Sequence, residues 1–284
     1  MTLTTALKLH LRVLEIHRRV LRVVTLRPQT ATRLSTNCFH DTWHILGGTD
    51  GAVLLGRLLW GLSFQRHPGT LVLIDGSHLV PTPFAADPAD PILLIPGGLT
   101  RIDDDLLRAL RLRLRRSPGS PATIRWHTFG MPAAITALES GRPGPRRDAL
   151  RHLRPREQMA RRAGYLCYTA PAAILRETGV GIYRMHANPD PWGSYYPLAD
   201  NGRHGSSWSY DGEFQQLPGF ACDVSAARVA RHEILGRAGG VLASDLEREA
   251  IYRRKGQTVA RLRACRTRPT SSALSPCVVS IGAP

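Results

Sequence analysis

T-L-V-L-I-D-G-S-H, residues 70–78, reads as a short, wholly apolar strand that ends abruptly in a carboxylate and a turn. Pro68-Gly69 precedes it and Gly76 follows Asp75, so the run is punctuated at both ends. A continuous apolar run of this length is the pattern of a strand covered on both faces. P-I-L-L-I-P, residues 91–96, repeats it.

Between and beyond these runs the chain alternates in kind. The spacing predicts a helix over Arg101–Arg116, a strand over Thr123–Phe129 and a helix over Pro132–Ser140, with proline near its start and Gly141 past its end. A basic helix is expected over residues 145–162, then strands at Gly164–Ala170 and Val180–His186, separated by a short helix, Pro171–Thr178, that Gly179 ends. Such alternation predicts an α/β fold with a mostly parallel sheet flanked by helices.

Residues 7–24 place Leu9, Val13, Ile16, Val20 and Val23 at four- and three-residue steps, the signature of an amphipathic helix. The local alternation L-K-L-H-L-R-V also permits a strand. A polar connection follows to about residue 50, and residues 51–64, apolar nearly all round, predict a buried helix. The core is thus expected over residues 51–186, after an N-terminal piece at 1–50.

Residues 187–220 hold seven of the 18 aromatics, with Asn201-Gly202 and Asp211-Gly212 suited to type I′ turns. W-S-Y-D-G-E-F alternates as a hairpin around the second of these, so an aromatic hairpin insertion or long ordered loop is expected. Residues 221–268 predict a basic helical segment: helices at Val224–Arg237 and Ser244–Lys255, the latter opened by an S-x-x-E capping box, a break at Gly256, and a third helix from Gln257 to Arg263. The tail, 269–284, is rich in serine, threonine and proline and is expected to be flexible.

The formal net charge is +16, and 36 of the 38 basic residues are arginine, Lys8 and Lys255 being the lysines. Such a balance points to anionic partners, a nucleic acid or another polyanion first among them. Arg57 interrupts the best apolar run, which argues against a transmembrane helix, and five cysteines without a C-x-x-C pair fit a reducing compartment. A cytoplasmic protein is expected.

No nucleophile elbow, P-loop or dinucleotide fingerprint occurs, so no cofactor is expected. His40 and His44 are spaced to share a helix face as zinc ligands, with Asp41 between them, but Gly47-Gly48 ends any helix before a third ligand, and no metal is expected. For an enzyme acting on an anionic small molecule, the candidate acid/base residues are Asp75, His78 and His127, leaving the carboxyl ends of predicted strands. The succession of apolar strand, acid, second strand, helix and R-W-H-T-F-G is similar in layout to toprim nucleases, with His127-Thr128-Phe129 where that family carries its acid pair.

The strongest concentration of charge lies near the C-terminus, where Arg248–Arg268 carries eight basic residues against Glu249. S-D-L-E-R-E-A followed by Q-T-V-A-R-L-R-A resembles the second and recognition helices of a helix-turn-helix module, with six residues, Ile251–Gly256, between the two matches. The resemblance implies DNA contacts from Arg253, Arg254, Lys255, Gln257, Thr258, Arg261 and Arg263. Trp192, Trp208 and Tyr210 are the candidate stacking residues. A nucleic-acid-binding protein is the leading expectation and the enzyme its alternative.

Overall fold

A computed structural model describes residues 6–116, 121–140, 147–187, 190, 193–199, 211–237 and 245–267. Among the described residues, eleven strands form two sheets. The larger contains β1 (Ala6–Ile16), β2 (Arg19–Thr25), β5 (Thr70–Ile74), β6 (Ile92–Pro96), β7 (Ala122–His127), β8 (Gln158–Arg162) and β9 (Tyr165–Ala170), in the order β7-β1-β2-β5-β6-β9-β8. The smaller runs β10-β11-β4-β3, from β3 (Leu34–Phe39), β4 (Thr42–Gly47), β10 (Ser194–Leu198) and β11 (Gly212–Gln216). Six α-helices among the described residues flank them: α1 (Thr49–Leu62), α2 (Asp104–Arg116), α3 (Met131–Glu139), α4 (Ala172–Arg184), α5 (Phe220–Arg237) and α6 (Asp245–Thr267).

The α/β class is as the sequence implies, but the large sheet is mixed. Only β2–β5 and β6–β9 pair in parallel; β5 and β6 run antiparallel. Both of these strands are buried throughout. An unbroken apolar run reports burial on two faces and carries no information about direction, which is how a mixed sheet passed for a mostly parallel one.

The N-terminal segment forms a hairpin in place of the expected helix. His17 and Arg18, at φ +50° and +60°, make the two-residue turn between β1 and β2, and left-handed values at both positions match the twist of the strands. His40 and Asp41 (φ +48° and +61°) do the same between β3 and β4, so His40 sits in a turn and His44 in a strand; they share no helix face.

Where one helix is expected over 145–162, the described residues form a 3-10 segment (Arg147–Arg156) and then β8. The strand expected at Val180–His186 is the second half of α4, which runs through Gly179 and Gly181 unbroken. The glycines are there for proximity: a Cβ on Gly179 would lie 2.8 Å from the Gly56 carbonyl oxygen of α1, and one on Gly56 would lie 2.6 Å from that of Gly179. Gly256 likewise lies inside α6, a single helix across the expected break, so the helix-turn-helix arrangement is not formed.

One face of the large sheet, with Leu21, Val23, Leu71, Leu73, Leu93 and Ile95, packs on Leu106, Leu107 and Leu110 of α2. Asp103 caps that helix, accepting a hydrogen bond from Leu106 N–H at 2.8 Å, while Thr100 donates its hydroxyl to the Thr70 carbonyl. The opposite face packs on α1 and α4, and the same core reaches Ile45 of β4 and Phe214 of β11. The small sheet turns its other face toward α5, through Leu46, Phe220 and Val224. Beyond them, Ala85, Ala230 and Ile251 join loop and helices.

Candidate functional site

Asp75, His78 and His127 do not converge. Asp75 follows β5 and His127 ends β7, and β2 and β1 lie between those strands. Three strand spacings amount to about 14 Å, beyond the reach of shared proton transfer. Burial pushes the Asp75 carboxyl above its ordinary range, and the nearby Arg12 opposes that shift. His78 is buried elsewhere, its pKa lowered first by burial and then by Arg33, against a hydrogen bond with the Thr30 backbone that raises it. His127 is exposed and stacks on Phe129, with ring centroids 4.6 Å apart.

The C-terminal cations expected on phosphates largely hold the protein's own carboxylates. Arg253 pairs with Glu249 at 2.9 Å, Arg254 with Glu233 of α5 at 2.5 Å, and Lys255 with Asp223 of α5 at 3.4 Å. Gln257 accepts a hydrogen bond from Arg254, and the Thr258 hydroxyl donates to the Arg254 carbonyl. The Arg254–Glu233 and Lys255–Asp223 pairs fasten α6 to α5. Arg261 is exposed, and the Arg263 side chain lies outside the described residues, as do Trp192, Trp208 and Tyr210.

A basic surface does form, on the first two strands from the edge of the large sheet. Leu7, Leu9 and Leu11 of β1 and Ile124 and Trp126 of β7 face the core. The alternation of a strand therefore turns Lys8, His10 and Arg12, with Thr123, Arg125 and His127, to the opposite face. Lys8 stands directly across from Arg125, and His10 across from Thr123. Lys8, Thr123, Arg125 and His127 are exposed, and no acid lies among these six residues. Like charges directly opposite on a ribbon cost stability, so nothing in the fold itself calls for the Lys8–Arg125 pair. Phe129, 63% exposed, adds an aromatic ring at the margin.

A second constellation is a cavity of about 930 Å³ on the outer face of the small sheet. The parallel pairing of β11 with β4 sets Glu213 beside His44, and the β3–β4 hairpin sets Asn37 on the other side of His44, giving a polar row across three strands. His44 Nε2 lies 3.6 Å from Glu213 Oε1, and His44 Nδ1 is buried with no hydrogen-bond partner among the described residues. Burial pushes the Glu213 pKa up and that of His44 down, so both groups lean toward their neutral forms. Asp87, Asp90, Arg248 and Glu249 also line the cavity, as do the aromatic side chains Phe39, Trp43, Phe84 and Tyr252.

The pair sets a pH signature. A carboxyl whose folded pKa is raised contributes fully below its ordinary value, 4.5, and loses that contribution as pH rises through the folded value. Glu213→Gln is therefore expected to melt above the wild type at pH 8, with the difference closing as pH falls to 4; melting followed by circular dichroism measures it. His44 acts in the opposite sense, its contribution being lost as pH falls below 6.5.

The His44 signal was visible in the sequence but attached to the wrong partner. Glu213 lies 169 positions downstream, and only the β4–β11 pairing brings it near. Compared with known proteins, the chain matches no family model, no curated protein and no solved structure.

Proposed function

We propose that the protein binds nucleic acid, preferentially single-stranded, on the exposed basic face of the β1–β7 ribbon. The observation that carries the reading is the row of Lys8, His10, Arg125 and His127 on one sheet face, ion-paired to no carboxylate among the described residues, with Phe129 exposed at its edge. Cations on a sheet track a sugar-phosphate backbone, and a ring beside them offers a base a stacking surface. Arg113, Arg115 and Arg116, exposed in the last turn of α2, and Arg261 of α6 add to the long-range field that steers a polyanion inward. With most α6 cations engaged within the chain, the ribbon supplies the direct contacts.

The test is fluorescence anisotropy with a single-stranded oligonucleotide across a salt series. Affinity is expected to fall steeply between about 50 and 200 mM salt. The double variant Lys8→Gln/Arg125→Gln removes two phosphate contacts, and the slope of log K against log salt should flatten by about 1.4. Phe129→Ala should weaken binding by about 1–3 kcal/mol with the slope unchanged. Wild-type affinity and slope in the double variant would remove the ribbon from the interface, and a loss confined to Arg261→Gln would move it to α6.

A further inference from the structure

The cavity on the small sheet points to a second ligand of opposite charge. In a chain of net +16, its lining carries Glu213, Asp87, Asp90 and Glu249 against one guanidinium, Arg248. Three of these carboxylates already hold arginines: Asp87 pairs with Arg231, Asp90 with Arg161, and Glu249 with Arg253. Glu213 differs. Among the described residues its one ionisable partner is His44, at 3.6 Å, and no lysine or arginine reaches it although its side chain is only 18% exposed. His44 itself is 8% exposed and leaves Nδ1 without a partner. Buried polar groups are nearly always satisfied, so a glutamate without a strong cation and a histidine with an orphaned nitrogen on one cavity floor mark a place for a ligand.

The walls specify the rest of that ligand. Phe39, Trp43, Phe84 and Tyr252 line the same space, with Phe39 60% and Tyr252 53% exposed. Aromatic faces attract cations as well as apolar groups, and this rim already accommodates one ammonium: Lys255 Nζ lies 5.5 Å from the Tyr252 ring and 5.9 Å from that of Phe84. Asn37, across His44 from Glu213, and Gln215 add amides to the lining.

We infer that this cavity binds an organic ammonium: a protonated amine set against Glu213 and His44, with an apolar body among Phe39, Trp43, Phe84 and Tyr252. A cavity of about 930 Å³ is in the range that encloses a small organic molecule. The ammonium supplies the counter-charge that no lysine or arginine among the described residues gives, holding Glu213 ionised.

Isothermal titration with benzylammonium and with benzyl alcohol, its neutral counterpart, tests this at pH 7.5. The wild type is expected to prefer benzylammonium by about tenfold or more, and Glu213→Gln to abolish that preference. Tyr252→Ala, on an exposed position of α6, should weaken both probes several-fold and leave the charge preference in place. Equal binding of the two probes by the wild type, or no heat from either up to about 10 mM, would overturn the inference, as would a preference that persists in folded Glu213→Gln. If circular dichroism shows Glu213→Gln to be unfolded, the wild-type preference together with the Tyr252→Ala loss decides in favour, and the lack of either decides against.

Discussion

Arg154→Met is expected to destabilise the fold by about 3–5 kcal/mol, a large share of the roughly 5–15 kcal/mol by which a domain is ordinarily stable. Arg154 is 8% exposed and lies at the centre of a buried network: its guanidinium donates to Glu157 at 2.9 Å and to Glu177 at 2.6 Å. Glu157 is fully buried and accepts a second hydrogen bond, from the Tyr168 hydroxyl, at 2.6 Å. That hydroxyl also lies 3.4 Å from Thr178. Truncating Arg154 leaves one carboxylate sealed in the core and another at its margin with their cation gone, and the full desolvation cost of the charge appears. The triple change Arg154→Met/Glu157→Leu/Glu177→Leu removes the charges together and should recover much of the loss. Urea denaturation of the three proteins measures both effects. A single variant as stable as the wild type would show that the network does not hold 3-10 segment, β9 and α4 together.

The second large effect is at the crossing of α1 and α4. Gly56→Ala puts a methyl group 2.6 Å from the Gly179 carbonyl and 2.8 Å from the Tyr183 Cβ. Neither neighbour is the loose end of a side chain. α1 cannot retreat, since Leu54, Leu55, Leu58, Leu59 and Leu62 are buried in the core it shares with both sheets. The helices must separate along their length, and overpacking of this kind costs about 1–3 kcal/mol, with the upper end expected where backbone opposes backbone. By contrast, Gly236→Ala on α5, where an added Cβ meets nothing within 4 Å, should raise the melting temperature slightly through better helix propensity. Thermal melts of the pair distinguish a packing constraint from a general intolerance of alanine.

How much of this was legible in the sequence varies with the kind of signal. Apolar runs located β5, β6 and β9, and turn residues located α2 and α3 to within a few positions. The β1–β2 hairpin was misread because Leu9, Val13, Ile16, Val20 and Val23 satisfy a helical period, while its turn, His17-Arg18, contains no glycine or asparagine to announce it. Gly179 was misread for the opposite reason, as a local terminator, when its role is set by Gly56 more than a hundred residues away. The basic face was hidden for the same cause: Lys8, Arg125 and His127 become neighbours only when β7 pairs with β1. The arginines of residues 248–268 drew attention as a linear run, although Arg253 and Arg254 are neutralised by Glu249 and Glu233 and Lys255 by Asp223. A count along the chain registers charge and misses the partners that cancel it.

The parallel pairing of β4 with β11 also orders events in time. Thr42–Gly47 must join Gly212–Gln216, a closure spanning most of the chain, and such long-range pairing forms late. During synthesis β4 leaves the ribosome with one edge paired to β3 and the other open, and it stays so until β11 arrives. An open strand edge is a template for pairing with a second chain. The nascent protein is therefore most prone to misassociation in the interval between synthesis of residue 47 and residue 216, and the cavity beside His44 and Glu213 is among the last parts of the molecule to come into being.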